Sequence, residues 1–598
     1  MKKILSGIIG CLCAGMSFAQ LPVSTSPQNR KAVLEELTGI YCYWCPAGHK
    51  IANNLKASRP AGSVVLVNCH CTGLSSPSFN DPNYRTPDGD SLAEMPGMAV
   101  TGIPAGAINR HLWPAQATIP MNRMYWADYA DAVLAQPSYV NIALEGSLNV
   151  ATRVLTVNVQ VYYTGNSPAG TNKLTVVLLE DTVIGKQAGG FDNYPEQTNP
   201  DGSYRHHHML RKMLTVPFSG EIIGPTTSGT LISRTYTFTV PDHFKNTPSF
   251  MGNLRLAGFI AESNLETITG ANGPITLTGF THVRDAAVSS IVAEQEVCAG
   301  RLHPEISLYN NGSAAITTAS IAYRVNGGTA TTYNYTGFIA PATAKRFALP
   351  EISFPPGSMN TLSATVTGVN GSTDQNSSND SGSQDSIFVT SHMAADTNMR
   401  MEYTQINTFN GSSWKLYDEA SNTVVAEDGP FPDVSYMSTE VRIKEFKVKR
   451  NACYRLALEN SAYVSDYNKI IGNYTLYTGS APLIIAPETP SGKASAWFKS
   501  GSHGLGTGNE KLMIHDFTLS PNPATDVVNL RFTLGAPMPL SINVYDAVGT
   551  VVLSLPARKL LDGVQSIPLP VAHLAAGLYM VRIHTEQGKA YARFQVLP

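Results

Sequence analysis

After Pro137 the chain is dominated by runs in which apolar residues recur at every second position, a period that admits little besides antiparallel sheet. Val140-Asn141-Ile142-Ala143-Leu144-Glu145 and Leu155-Thr156-Val157-Asn158-Val159-Gln160-Val161 are two such runs. Side chains alternate across a strand, so each run offers one face to a core and one to water. No single core grows to 598 residues, so the pattern predicts β-sandwich modules in series. Composition supports that reading. Only 14 % of residues are charged, 42 Lys plus Arg against 44 Asp plus Glu, and 43 % are hydrophobic. A net charge of −2 leaves no basic footprint for nucleic acid and no acidic tail. Collagen-like, coiled-coil and wholly disordered chains are excluded as well.

The start of the chain sets its destination. Lys2 and Lys3 precede a short apolar run over residues 4–16, and Ser17-Phe18-Ala19 supplies a small-residue cleavage site before Gln20. A signal peptide over 1–19 is expected. Ile8-Ile9-Gly10-Cys11, a lipoprotein-like box, is the rival reading. No later segment reaches the roughly 18 uninterrupted apolar residues of a membrane helix, so no transmembrane segment is expected. An exported protein follows.

Six domains or segments are expected after the leader. Residues 20–136 alternate strand and helix, with strands at 32–37, 63–67 and 105–110, a helix opened by Pro46, and a helix with Tyr125, Tyr129 and Val133 on one face. Residues 72–97, rich in Ser, Pro, Asp and Asn, read as an inserted loop. Then come a β-sandwich at 137–285, an immunoglobulin-like sandwich at 286–387 and a jelly-roll-like β domain at 388–485. A Pro/Ser/Gly-rich linker is expected at 486–511, and a last β block at 512–598. The fold class is multidomain and mainly β, with an N-terminal α/β domain.

The last block carries the most specific resemblance. Leu519-Ser520-Pro521-Asn522-Pro523-Ala524, the turn at Ala547-Val548-Gly549, Ala576-Gly577-Leu578-Tyr579 and Ala590-Tyr591-Ala592-Arg593-Phe594 occur in order. The block resembles the C-terminal sorting domain of type IX secretion cargo. The resemblance implies passage through the periplasm, recognition by the type IX machinery through 512–598, and removal of the domain on arrival.

Of eight cysteines, Cys11 and Cys13 belong to the leader, and Cys298 and Cys453 are isolated and far apart. Cys42, Cys45, Cys69 and Cys71 gather in one short stretch, which reads as a site rather than a disulfide scaffold. Tyr41-Cys42-Tyr43-Trp44-Cys45-Pro46 sets a C-x-x-C after a strand and at the start of a helix. Unpaired N–H groups and the positive dipole end favour thiolate at Cys42, the attacking sulfur, and leave Cys45 to resolve. Thr101-Gly102-Ile103-Pro104 precedes a strand as the cis-proline loop does in thioredoxin-like folds, where such a proline faces the cysteines. With the Leu34-Glu35-Glu36-Leu37-Thr38-Gly39 lead-in, residues 30–113 resemble the thioredoxin-like part of the outer-membrane-protein-28-related family. Tyr204-Arg205-His206-His207-His208-Met209 resembles the His-containing stretch of that family's β domain, which extends the resemblance to about 20–285.

Three readings of the clustered cysteines stay open. Cys42 and Cys45 are redox-active, with Cys69 and Cys71 as a second pair or resolving thiols. Or they form an inert disulfide. Or the thiolates hold a soft metal with His70 or His49. Glu36, in the strand entering the site, is a candidate proton relay for Cys45 or simply a polar residue on a half-exposed strand. In an extended strand His206 and His208 point one way and His207 the other, so at most two could share a metal. Trp414, Tyr454 and Tyr162-Tyr163 read as sandwich core or surface. The candidate catalytic residues are Cys42, Cys45 and Pro104, with no cofactor and no metal expected. The leading function is thiol–disulfide exchange on protein substrates; the alternative is a non-catalytic adhesin or receptor built on the same scaffold.

Overall fold

The computed structural model describes residues 23–78, 81–100, 102–199, 202–357, 359–406, 412–431, 439–460, 472–479, 481–486, 493–501, 514–534, 537–546, 550–585 and 588–597. The expected leader at 1–19, the Cys11 box and the turn at Ala547-Val548-Gly549 lie outside the described residues. The chain divides into two units, residues 1–502 and 503–598. Both are built mainly of antiparallel sheet, as the alternation requires.

The N-terminal elements are β1 (Ala32–Thr38), α1 (Cys45–Ser58), β2 (Val64–His70), α2 (Pro87–Glu94), β3 (Ala105–Ile108), β4 (Met121–Asn122) and α3 (Trp126–Leu134). β1 runs parallel to β2 and antiparallel to β3, and β3 pairs antiparallel with β4. Every residue of β1 and β2 is buried, which is why β2 reads as a continuous apolar run over 64–67. One face of β1 and β2, with Ala32, Leu34, Val64 and Leu66, packs with Ala52 and Leu55 of α1 and Trp126, Ala130 and Val133 of α3. The opposite face, with Val33, Leu37, Val65 and Val67, packs with Leu92 of α2. The face of α3 differs from expectation: Tyr125 is exposed and Trp126 takes the buried position.

The stretch 72–97 is not only loop. Thr86 accepts a hydrogen bond from the Gly89 N–H at 3.0 Å, Pro87 opens the helix, and Asp88 and Asp90 lie at its positive end. Its polar composition hid a helix whose single fully buried apolar anchor is Leu92.

The sheet does not stop where the expected domain boundary at 136/137 falls. Met209–Met213 joins β2 in parallel through Met209 opposite Asn68, and Asn172–Glu180, Leu254–Ala261 and Thr267–Gly273 continue the same nine-stranded sheet. Asn68 holds the seam: its N–H donates to the His208 carbonyl at 2.8 Å and its Nδ2 to the His207 carbonyl at 3.1 Å. Leu174, Val176, Leu178 and Leu256 pack against Leu144, Val157 and Val159 of the facing four-stranded sheet. Two fully buried ion pairs, Glu35–Arg110 at 2.6 Å and Glu180–Arg211 at 2.7 Å, sit within this unit.

Two further sandwiches follow in the same unit. The first packs a three-stranded sheet on a five-stranded one around Ile306, Leu308, Ile321, Tyr323 and Leu362. The second packs five strands on four around Met401, Trp414, Leu416, Tyr454 and Phe498, so Trp414 and Tyr454 are core residues. Cys298 and Cys453 are not isolated: they form a disulfide across 155 residues. The expected linker at 486–511 is corrected in part. Lys493–Ser500 is a strand paired with Cys453–Asn460 and Met393–Ala394, with Trp497 and Phe498 buried. The flanking Pro, Ser and Gly obscured one short run of sheet; residues 487–492 and 502–511 lie outside the described residues.

In the second unit, Ile514–Ser520, Val527–Leu534 and Gly563–Pro570 form one sheet. Val551–Leu560, Met538–Tyr545, Gly577–Thr585 and Gly588–Val596 form the other. Leu530, Phe532, Ile542, Val544, Val581 and Phe594 fill the space between them, giving the unit its own core.

Candidate active site

β1 delivers the chain to a tight turn. The Cys42 N–H donates to the Gly39 carbonyl at 3.1 Å and the Cys45 N–H to the Cys42 carbonyl at 3.3 Å. Gly39 is required there, because a Cβ would lie 2.7 Å from the Leu74 carbonyl oxygen. α1 begins at Cys45 with Pro46 in its first turn. Cys42 and Cys45 form a disulfide with Cα atoms 5.4 Å apart. Cys42 is 3 % exposed and Cys45 is fully buried.

Pro104 meets this turn from the other side. The Ile103–Pro104 peptide is cis, and Cys42 Sγ lies 3.5 Å from the Ile103 carbonyl oxygen. Pro104 also approaches α1 at Gly48, where an added Cβ would come within 3.0 Å of the Pro104 Cβ and 2.6 Å of Glu36 Oε1. The structure therefore brings Cys42, Cys45 and Pro104 together, with Glu36 beside Gly48, three residues after Cys45 on α1.

Glu36 is not on a half-exposed strand. It is fully buried, and among the described residues neither carboxylate oxygen has a hydrogen-bond partner. Burial pushes its carboxyl well above the usual carboxylate range, opposed by the positive charge of Arg123. His49, on the same side of α1, places Nε2 3.9 Å from Glu36 Oε1. Its ring is held at both nitrogens, Nε2 3.0 Å from Thr38 Oγ1 and Nδ1 3.0 Å from the Tyr204 hydroxyl. Burial, then the charges of His207 and His208, take His49 down to about 3, so the ring is neutral at physiological pH.

The other cysteines are placed differently. Cys69 and Cys71 are free and buried. Burial raises both thiols, Cys71 to about 12, so neither is poised as a resolving thiolate. The His206-His207-His208 stretch is also not one extended strand: the strand ends at His206, and His208 takes a left-handed conformation with φ 56°. His206 turns inward, its ring centroid 5.2 Å from that of His70 and 4.9 Å from that of Tyr84. His208 Nδ1 lies 3.4 Å and His207 Nδ1 3.8 Å from Asp181 Oδ1. The backbone reversal, invisible in the sequence, moved His208 off the face shared with His206.

Sequence reasoning missed a clamp from the β domain. Gln187 donates from Nε2 to the carbonyls of Gly39 and Cys42, each at 3.1 Å, and the Ala188 N–H donates to the Ile40 carbonyl at 2.8 Å. Asn193 Nδ2 donates to the Tyr43 carbonyl at 2.9 Å. Gly189 has φ 66°, and a Cβ there would lie 2.1 Å from the Tyr43 carbonyl oxygen. The Gly189-Gly190 pair was a legible sign of close backbone approach; Gln187 left none. Trp44 is 54 % exposed beside the disulfide, with the Arg123 guanidinium 5.7 Å from its ring.

Comparison with known proteins identifies two segments. Residues 96–268 match the family model described as outer membrane protein Omp28, and residues 518–596 match the secretion system C-terminal sorting domain. The first match begins after the C-x-x-C and ends short of the expected 285. No curated protein matches the chain. Among solved structures, HBP35 of Porphyromonas gingivalis is similar at 13 % identity over 54 % of this chain and 99 % of its own, with a TM-score of 0.34. The BSP domain of a biofilm-associated protein is similar at 10 % identity over 76 % of this chain and 95 % of its own, with a TM-score of 0.15. Scores this low do not establish a shared fold.

Proposed function

We infer, because residues 96–268 match the Omp28 outer membrane protein model and residues 518–596 the secretion system C-terminal sorting domain, that this chain is exported to the outer-membrane surface or beyond. We propose that its N-terminal unit is a thioredoxin-like domain performing thiol–disulfide exchange there on protein substrates. One observation carries the reading: a closed Cys42–Cys45 pair at the start of α1, with Cys42 Sγ 3.5 Å from the carbonyl that precedes cis-Pro104.

The chemistry runs through these groups. In the reduced form the N-terminus of α1 favours thiolate at Cys42. That thiolate attacks a substrate disulfide, the Cys42–substrate bond forms, and one substrate sulfur leaves as thiolate. Cys45 then loses its proton to Glu36 and attacks Cys42 Sγ, releasing the second substrate sulfur and closing the Cys42–Cys45 bond. Pro104 shapes the wall against which the substrate strand lies. The order β2–β1–β3–β4, with α1 and α3 on one face, supports the thioredoxin-like assignment. We further propose that 137–285, 286–387 and 388–485 act as carrying modules and that the machinery reads 512–598.

The alternative, a scaffold that binds without turnover, draws on the near-complete burial of both sulfurs and the exposed Trp44. Insulin reduction by the purified chain, with Cys42→Ser as control, separates the two. Turnover lost in Cys42→Ser supports exchange. Equal, background-level turnover in both chains, with a Cys42 alkylation profile like that of free cysteine, would leave only the scaffold.

A further inference from the structure

Glu36 is fully buried and burial raises its proton affinity, so any proton it carries must leave before it can take one from Cys45. Its own surroundings offer little to receive that proton. β1 contributes Thr38, which bonds His49; Arg123 faces Glu36 as a cation and accepts nothing. His49 Nε2, a basic ring nitrogen, lies 3.9 Å from Oε1.

We propose that His49 is the proton outlet of Glu36, passing the proton toward Tyr204, a residue supplied by the β domain. The inference rests on the exchange reading and assigns that reaction a positioning residue outside the C-x-x-C. Three features carry it. His49 stands four residues after Cys45 on α1, and so on the same face as the sulfur and Glu36. Its two nitrogens face different directions of transfer, Nε2 toward Glu36 and Thr38, Nδ1 toward the Tyr204 hydroxyl. The surrounding groups are His206, whose ring centroid is 6.4 Å away, His70 on β2, and the more distant His207 and His208. Burial and the charges of His207 and His208 oppose a lasting imidazolium, so His49 relays rather than stores charge.

The step balances. The Glu36 O–H bond breaks as Nε2–H forms, leaving a carboxylate and an imidazolium whose Nδ1–H donates to the Tyr204 oxygen. The carboxylate takes the Cys45 thiol proton, and the Cys45 electron pair attacks Cys42 Sγ of the mixed disulfide. The Cys42–substrate bond breaks, and the substrate sulfur leaves as thiolate. The imidazolium gives up its proton to the medium, from which the substrate thiolate is protonated. Glu36 and His49 return to their starting forms.

The reduced, purified chain is mixed with 5,5′-dithiobis(2-nitrobenzoate) across a pH series. Cys42→Ser supplies the background from the remaining thiols. The first release reports attack by Cys42 and the second reports resolution by Cys45. His49→Gln is expected to slow the second phase about tenfold or more near neutrality and move its pH midpoint upward, with the first phase unchanged. Tyr204→Phe, which removes only a hydroxyl, is expected to slow the same phase about threefold and decides the matter if His49→Gln does not fold. Second-phase profiles of both variants that superimpose on the unsubstituted chain overturn the outlet while leaving exchange intact. A slowed Glu36→Gln beside a normal His49→Gln places the outlet elsewhere and also overturns it. No release above the Cys42→Ser background removes the exchange reading and this inference with it.

Discussion

At the scale of single residues, the unit around the disulfide is set against acid by its histidines. His49, His70, His206 and His208 are buried or nearly so, and burial is the first cause of each depressed proton affinity, His49 to about 3 and His208 to about 4. Between those values and the ordinary 6.5 the unfolded chain binds protons that the folded chain refuses. Stability there rises with pH and is lost as pH falls below 6.5. Glu36 works in the opposite sense: its raised affinity makes its contribution complete below the ordinary 4.5 and lost as pH rises through the folded value. Hydrogen exchange of peptides from β1 and β2, corrected for intrinsic rates, is therefore expected to lose protection from about pH 7 to about pH 5. Glu36→Gln is expected to gain protection over the unsubstituted chain at about pH 8; unchanged protection there would contradict the assigned burial cost. The Glu35–Arg110 pair is the sharper test of packing. Arg110→Leu leaves a buried carboxylate alone and is expected to cost about 3–5 kcal/mol in local unfolding.

Elements show how much could be read in advance. β2 was legible because a strand buried on both faces is a continuous apolar run, and α1 because Pro46 and the Ile51–Leu55 spacing announce it. α2 was not, since Thr86-Pro87-Asp88 is a helix start that also reads as loop. Cys42, Cys45 and Pro104 could be read in advance because each sits in a short local motif, and the structure brings them together. Gln187 and Tyr204 were not, because they reach the site only through the pairing of Met209–Met213 with β2, a single-residue seam with no periodic signature. Glu36 was placed on the right strand but judged too exposed, as the Glu35-Glu36 pair between apolar residues does not reveal what covers it. The clamp is open to test. Gln187→Ala removes two hydrogen bonds to the Cys42 turn and is expected to speed exchange of the Gly39–Cys45 amides, at a cost of about 1–3 kcal/mol. Gly48→Ala forces a methyl against Glu36 and Pro104 and is expected to cost about 1–3 kcal/mol, read as a lower denaturant midpoint for α1.

At the scale of the whole molecule, the nine-stranded sheet makes the first 285 residues difficult to divide, because β2 finds one of its neighbours beyond residue 200. A fragment ending at 136 lacks that strand, the clamp and Tyr204. The second unit, by contrast, has its own filled core, so a chain lacking 512–598 is expected to fold in its remaining modules yet stay in the periplasm. Surface display of that truncation, scored by protease shaving of intact cells, would refute the address.

The Cys298–Cys453 bond has a mechanical consequence. A chain displayed on a cell can be stretched by what it holds, and a pulled sandwich ordinarily unravels and lengthens. Here the load passes directly from residue 298 to residue 453, and the 155-residue interval between them is bypassed. At about 3.4 Å per residue, roughly 500 Å of slack stays sealed until the bond is reduced. Reductant outside the cell would thus set how far the protein can reach under tension.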